Sequence, residues 1–208
     1  MSVSELKKRA YEEETSETLF EEEEVIPLLP NFIQEKSKHM GAFRGTAYHR
    51  MLELLDFSKE YKEEDILKEI SRFVELGLME EEMQDCINAS DIMLFLNSNV
   101  GKRIHEASKL GQFHAEQPFV LGLSAEEVYE GVSDEVVLVQ GIIDVYFEEN
   151  DQLVVLDYKT DKVSCEKELV ERYRAQLDYY AKALERLTGK TVKEKIIYSF
   201  TLQKEIEV

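Results

Sequence analysis

The stretch "GIIDVYFEENDQLVVLDYKTDKV", Gly141 to Val163, decides how this chain folds. Two runs rich in Val, Ile, Leu, Tyr and Phe flank a polar "EEND", which predicts a β-hairpin with one aspartate, Asp144 or Asp157, inside each apolar strand. With a two-residue turn at Asn150-Asp151, Glu149 faces Gln152 and Asp144 faces Asp157; a three-residue loop would shift the pairing by one. Directly opposed residues have Cβ atoms about 4.5 to 5.5 Å apart, so two carboxylates there repel and need an offsetting charge. A hard divalent cation such as Mg²⁺ or Mn²⁺ meets that need, because it takes carboxylate oxygens as ligands. Alternation along the strand places Lys159 on the face of Asp157. A cation flanked by an ammonium group suits an anionic phosphate attacked by a metal-activated water. A lysine neutralising two acids on an exposed hairpin is the competing reading, since short D-x-K strings are common.

Outward from the hairpin, the flanking elements are helical. "GAFRGTAYHRMLELLDF", Gly41 to Phe57, carries Phe43, Ala47, Met51, Leu54 and Leu55 at helical spacing. Helices are predicted over about 63–76 ending at Gly77, over 80–89, and over 90–110 with a break near Asn99. "FHAEQPFVL" then predicts a strand, "SAEEVYEG" a short helix or turn, 166–188 a long amphipathic helix stopped by Gly189, and "EKIIYSFTLQ" a last strand. This order predicts an α/β (α+β) fold, a mixed sheet flanked by helices with an N-terminal helical annex. Residues 1–40 read as an arm with a helix over 4–14, an acidic run and the connector "VIPLLPNF"; residues 41–208 read as the functional domain.

The 208 residues suffice for one well-cored domain. A net charge of −19 argues against a generic nucleic-acid coat, which needs clustered Lys and Arg. Eight of the excess acids are glutamates between Glu12 and Glu24, read as a solvated arm. Two local patches reverse the sign: Lys36, Lys38, Arg44 and Arg50, and the basic run from Lys182 to Lys195. Cys86 and Cys165 supply neither a disulfide framework nor a metal-ligand set, which fits a reducing, cytoplasmic setting. No apolar run approaches membrane-spanning length and no signal-peptide pattern is expected.

The hairpin string resembles the G-x-x-D plus D-Y-K-[ST] core of the RecB-like nucleases of the PD-(D/E)XK superfamily. The family's other motifs stand in order: "GTAYH" at Gly45 to His49, "AEQPF" around Glu116, and the Q-x-x-x-Y of "QLDYY" at Gln176 to Tyr180. Within the family the chain is most similar to the nuclease domain of a bacterial helicase–nuclease. The resemblance implies a restriction-endonuclease-like fold and a Mg²⁺- or Mn²⁺-dependent deoxyribonuclease acting on single-stranded DNA in double-strand-break repair and recombination. Its implied partners are the parent helicase domains and a second helicase–nuclease subunit. It implies that His49, Asp144, Asp157 and the carbonyl of Tyr158 hold the metal. Lys159 would activate the water, and Gln176 and Tyr180 would support the lysine or hold DNA. The counterpart of Glu116 lies near the site, although a strand glutamate is also simply exposed in many proteins.

His49 stands off the apolar stripe of its helix, consistent with a ligand or with a solvated histidine. Two cysteines exclude the four-cysteine iron-sulfur cluster of related nucleases. The absence of G-x-x-x-x-G-K-[ST] leaves this chain without an ATP motor of its own. A non-catalytic interaction module that keeps the fold, and an RNA-directed nuclease, are the alternatives. An ammonium that serves the reaction alone is expected to be removable at little structural cost.

Overall fold

The computed structural model describes residues 40–124 and 136–208. The helix expected over 4–14, the acidic run and "SAEEVYEG" lie outside that range, apart from the last strand residue, Ser124. Five helices come first: α1 (Met40–Leu54), α2 (Glu63–Glu75), α3 (Glu81–Gln84), α4 (Ala89–Asn97) and α5 (Asn99–Lys109). Strands β1 (Phe113–Ser124), β2 (Val136–Glu149) and β3 (Gln152–Lys159) follow, then helix α6 (Glu166–Thr188) and strands β4 (Val192–Ser199) and β5 (Lys204–Glu207). The strands form one mixed sheet in sequence order, antiparallel except for β3 and β4. That parallel pair requires a crossover, and α6 supplies it.

The hairpin has the expected register, with Glu149 opposite Gln152. Asn150 (φ 52°) and Asp151 (φ 63°) are both left-handed, the conformation a type I′ turn demands. The paired ladder ends at Val145–Leu156, one step short of Asp144 and Asp157. The break expected near Asn99 falls at Ser98, whose Oγ accepts from the Gly101 amide at 3.0 Å and so caps α5. Gly101 is needed for close approach, because a Cβ there would lie 2.1 Å from the carbonyl oxygen of Phe95.

Two expectations are corrected. The helix expected over 80–89 shrinks to Glu81–Gln84, because Asn88 adopts extended backbone and uses its side chain to cap α4, accepting from the Ser90 amide at 3.0 Å. The single strand expected from "EKIIYSFTLQ" stops at Ser199. Its Oγ accepts from the Leu202 amide at 3.1 Å, Gln203 turns with φ 53°, and β5 pairs back along β4.

The sheet separates two cores. Val145, Phe147, Val154, Leu156 and Tyr158 pack toward the first five helices against Tyr48, Met51, Ile92 and Phe95. On the other face Leu153, Val155 and Ile197 meet the stripe Leu169, Tyr173, Leu177, Tyr180 and Leu184 of α6, whose steps of three and four residues match the helical repeat. At the hairpin end of the sheet Arg103 forks onto Glu149 and Glu194, and Lys190 and Lys193 bind Glu148 and Glu149. Arg103 pulls the Glu149 carboxyl down to about 2. Much of the basic run 182–195 is therefore spent on internal ion pairs rather than on an open cationic track.

Candidate active site

A change of face in two strands builds the site. In β2, Val139 and Ile143 point to the α6 core, yet Val145 and Phe147 point to the opposite one. In β1, Phe119, Leu121 and Leu123 face α6, whereas Phe113 and Ala115 pack against the other core. Strict alternation would hold all these odd-numbered residues on one face. The switch sits at Glu116, which is left-handed (φ 49°) and lies between the pairs Ala115–Val145 and Gln117–Ile143, opposite Asp144. A glutamate at positive φ is uncommon and costs on the order of 1 kcal/mol or more, so the surrounding pairing must hold it there.

The switch gathers Glu116 and Asp144 with His49 of α1, one ligand atom from each lying within 4.8 Å of the others. His49 Nε2 lies 3.0 Å from the carbonyl oxygen of Tyr158, which places the proton of a neutral ring on Nε2. The Nδ1 lone pair then faces Asp144 Oδ2 at 3.4 Å. Two acceptors turned toward each other call for a cation or a proton between them. The other oxygen acceptor close by, Glu116, carries a carboxyl pushed up to about 7, first by burial and then by the charge of Asp144. A nitrogen and two carboxylates with this unmet negative charge fit a divalent metal ion. A histidine whose second nitrogen donates to a backbone carbonyl is also oriented as metal-binding histidines are. Gly45, one turn before His49, lets α1 approach the end of β3: a Cβ there would meet Thr160 Oγ1 at 3.2 Å.

Asp157 and Lys159 stand beside this cluster on the α6 side. Asp157 is fully buried; Gln176 Nε2 donates to its Oδ1 at 3.2 Å, and Lys159 forms an ion pair with its Oδ2. Gln176 Nε2 also lies 2.6 Å from the Tyr180 hydroxyl. Burial pushes the Asp157 carboxyl up, Lys159 opposes that, and Asp144 adds to it. Burial tends to lower the pKa of Lys159, but Asp157 and Asp144 outweigh it, so the ammonium is held protonated. Asp144 Oδ2 accepts from the Tyr158 amide at 3.0 Å, which binds the two strand ends together beyond the ladder.

The structure thus brings His49, Asp144 and the Tyr158 carbonyl together, as the motifs implied, and adds Glu116 to the ligand-forming group. Asp157 is adjacent but engaged with Lys159 and Gln176. The expectation that Lys159 is structurally dispensable is corrected, because it neutralises a fully buried aspartate. Residue spacing could not reveal the role of Glu116, since its backbone conformation depends on pairing with β2. A cleft of about 530 Å³ opens at the cluster, lined in part by Thr46, His49, Arg50, Leu78 and Glu116.

The raised carboxyl of Glu116 has a testable pH signature. Between its ordinary value near 4.5 and about 7 the folded chain binds more protons than the unfolded one, so metal-free stability falls as pH rises through that window. A cation needs the same carboxylate ionised, so the rise in Tm on adding Mn²⁺ grows across the window. Melting curves from about pH 5 to about pH 8, with and without Mn²⁺, are expected to show both trends in the wild type and neither in Glu116→Gln. An unchanged pH slope in the variant would assign the behaviour to another group.

A family model described as the PD-(D/E)XK nuclease superfamily matches residues 20–206. The chain belongs to this superfamily. The matched range of the PD-(D/E)XK model contains His49, Glu116, Asp144, Asp157, Lys159, Gln176 and Tyr180. Curated relatives carry the name of AddA, the larger-chain component of the ATP-dependent helicase/nuclease. That of Lachnoclostridium phytofermentans is 38% identical over 94% of this chain and 17% of its own length. Those of Clostridium novyi and Clostridium botulinum strain Hall are 40% and 39% identical over 86% and 100% of this chain, and over 15% and 16% of their own lengths. The chain therefore spans about one-sixth of the relatives it matches. A solved structure titled "Crystal structure of SSO0001" superposes with a TM-score of 0.37 at 12% identity, covering 80% of this chain and 74% of that one. Among the described residues no helix is long and apolar enough to cross a membrane.

Proposed function

We propose that this chain is the metal-dependent exonuclease domain of an AddA-type helicase–nuclease, cutting phosphodiesters of single-stranded DNA during double-strand-break repair and recombination. The observation that carries the reading is the cluster of His49, Glu116 and Asp144 at the end of the hairpin, with the Lys159 ammonium on the adjoining face. His49, Glu116 and Asp144 would hold Mg²⁺ or Mn²⁺, with Asp157 and the Tyr158 carbonyl as adjacent oxygen donors. Such an ion supplies Lewis-acid charge at a phosphoryl oxygen and makes water acidic enough to attack near neutral pH. Lys159, protonated and held beside Asp157, is placed to orient the attacking water and offset charge developing on the phosphate. Gln176 fixes Asp157 and Tyr180 in a single hydrogen-bonded chain, which keeps the aspartate from rotating away. The partners in this reading are the parent helicase domains and a second helicase–nuclease subunit. A bacterial DNA-processing role sets the chain in the cytoplasm.

The test is cleavage of an end-labelled single-stranded DNA by the chain without ATP, in Mg²⁺, in Mn²⁺ and in chelator. Metal-dependent cutting is expected. Because few open cations border the site, cutting is expected to be slow and to fall steeply with salt, as binding carried by phosphate neutralisation does. Linkage to a motor would raise the local strand concentration without adding a catalytic group. DNA binding without cutting under any metal would favour the interaction module, and preferential cutting of RNA would favour the RNA-directed alternative.

A further inference from the structure

The Lys159 ammonium has a second neighbour that the sequence motifs do not assign. Its Nζ stands 4.2 Å from the centroid of the Tyr173 ring, over the ring face. Tyr173 is on α6, 8% exposed, and its hydroxyl donates to Asp161 Oδ1 at 2.8 Å. Arg172 Nη1 donates to the same oxygen at 2.8 Å, so Asp161, two residues beyond β3, ties the strand exit to the helix and fixes the plane of the ring. Tyr173, Gln176 and Tyr180 lie at i, i+3 and i+7 on one face of α6, with the ring toward Lys159 and the other two toward Asp157.

We propose that Tyr173 is a positioning residue for Lys159, its ring face seating the ammonium and Asp161 holding the ring. The proposal rests on the reading of Lys159 as the group that serves cleavage. A lysine is a point charge on a flexible stem and needs more than one contact to stay in place. Asp157 is one contact, but a carboxylate that also faces a metal ion shares its charge and grips the ammonium less. A ring attracts a cation through its quadrupole without competing for the metal, and does so most strongly where water is excluded. Tyr173 therefore keeps Lys159 aimed when Asp157 is engaged elsewhere.

Two measurements test this. In metal-free protein, NMR of Lys159 is expected to show its terminal methylene protons shifted upfield by the ring, in wild type and in Tyr173→Phe, with the shift lost in Tyr173→Leu. An unshifted lysine in wild type, or the same shift in Tyr173→Leu, would overturn the proposal whether or not the chain cuts DNA. For cleavage, Tyr173→Phe is expected to stay near wild type, while progressively fluorinated phenylalanines at position 173, which weaken the π face without changing its shape, lower kcat stepwise with KM unchanged. Full loss of the face is expected to cost about tenfold or more. A flat kcat across the series would overturn the positioning role, and that series carries the test if Tyr173→Leu fails to fold. Undiminished cutting by Lys159→Met, with the ring shift intact in wild type, would instead remove the reading of Lys159 on which the proposal rests.

Discussion

Asp144→Asn is expected to abolish both DNA cleavage and metal-induced stabilisation while leaving the metal-free chain at least as stable as wild type. The asparagine oxygen can still accept the Tyr158 amide bond, which is 3.0 Å long in the wild type, so that buried N–H is not orphaned. Removing the charge also relieves Glu116 and Asp157, both of which Asp144 pushes toward protonation. What disappears is one of the two carboxylates in the group that includes His49. A ligand that binds only the folded chain stabilises it by about 2.7 kcal/mol at a hundred times its Kd, and this increment is the one that should vanish. Thermal melts with and without Mn²⁺, beside a cleavage assay, read all three outcomes. A variant that still gains its full increment would place the cation elsewhere.

Lys159→Met should lower cleavage by about 10² to 10³-fold, the range seen when a preorganised charge-stabilising donor is lost. Its stability should fall as well, in a pH-dependent way. Methionine keeps the apolar stem but leaves Asp157, fully buried, without its cation. The carboxyl is already raised by burial, and losing Lys159 raises it further. The folded variant then binds a proton that the unfolded chain has released, so the variant approaches wild-type stability in acid and loses it as pH rises through the folded pKa. Urea melts at acid and at alkaline pH measure the difference. Equal destabilisation at both would show that packing, not the unpaired carboxylate, accounts for the loss.

Part of the candidate site is legible in the residues because its determinants are local. A type I′ turn needs two left-handed residues, Asn150-Asp151 tolerates that conformation, and the two-residue period then fixes which side chains share a face. Asp157 and Lys159 accordingly fall together on the α6 side. The extent of α6 is local too: its apolar stripe repeats at helical spacing and Gly189, at φ 72°, closes it. The shortened α3 and the added β5 were less legible, because a side-chain cap at Asn88 and a turn at Gln203 compete with propensities that would continue the element.

The sequence by itself determined the hairpin, its register, the shared face of Asp157 and Lys159, and the motif order that marks a PD-(D/E)XK nuclease. Each follows from turn chemistry, a short period or a linear pattern. Only the tertiary structure decided that Glu116 joins His49 and Asp144, that Asp157 is held by Lys159 and Gln176, and that Tyr173 lies under the ammonium. Those outcomes depend on β1 pairing with β2 across a left-handed residue and on α6 folding back over β3, contacts between segments distant in the chain. No local period encodes them, because the energy that holds Glu116 at positive φ comes from the strand paired beside it rather than from its neighbours in sequence.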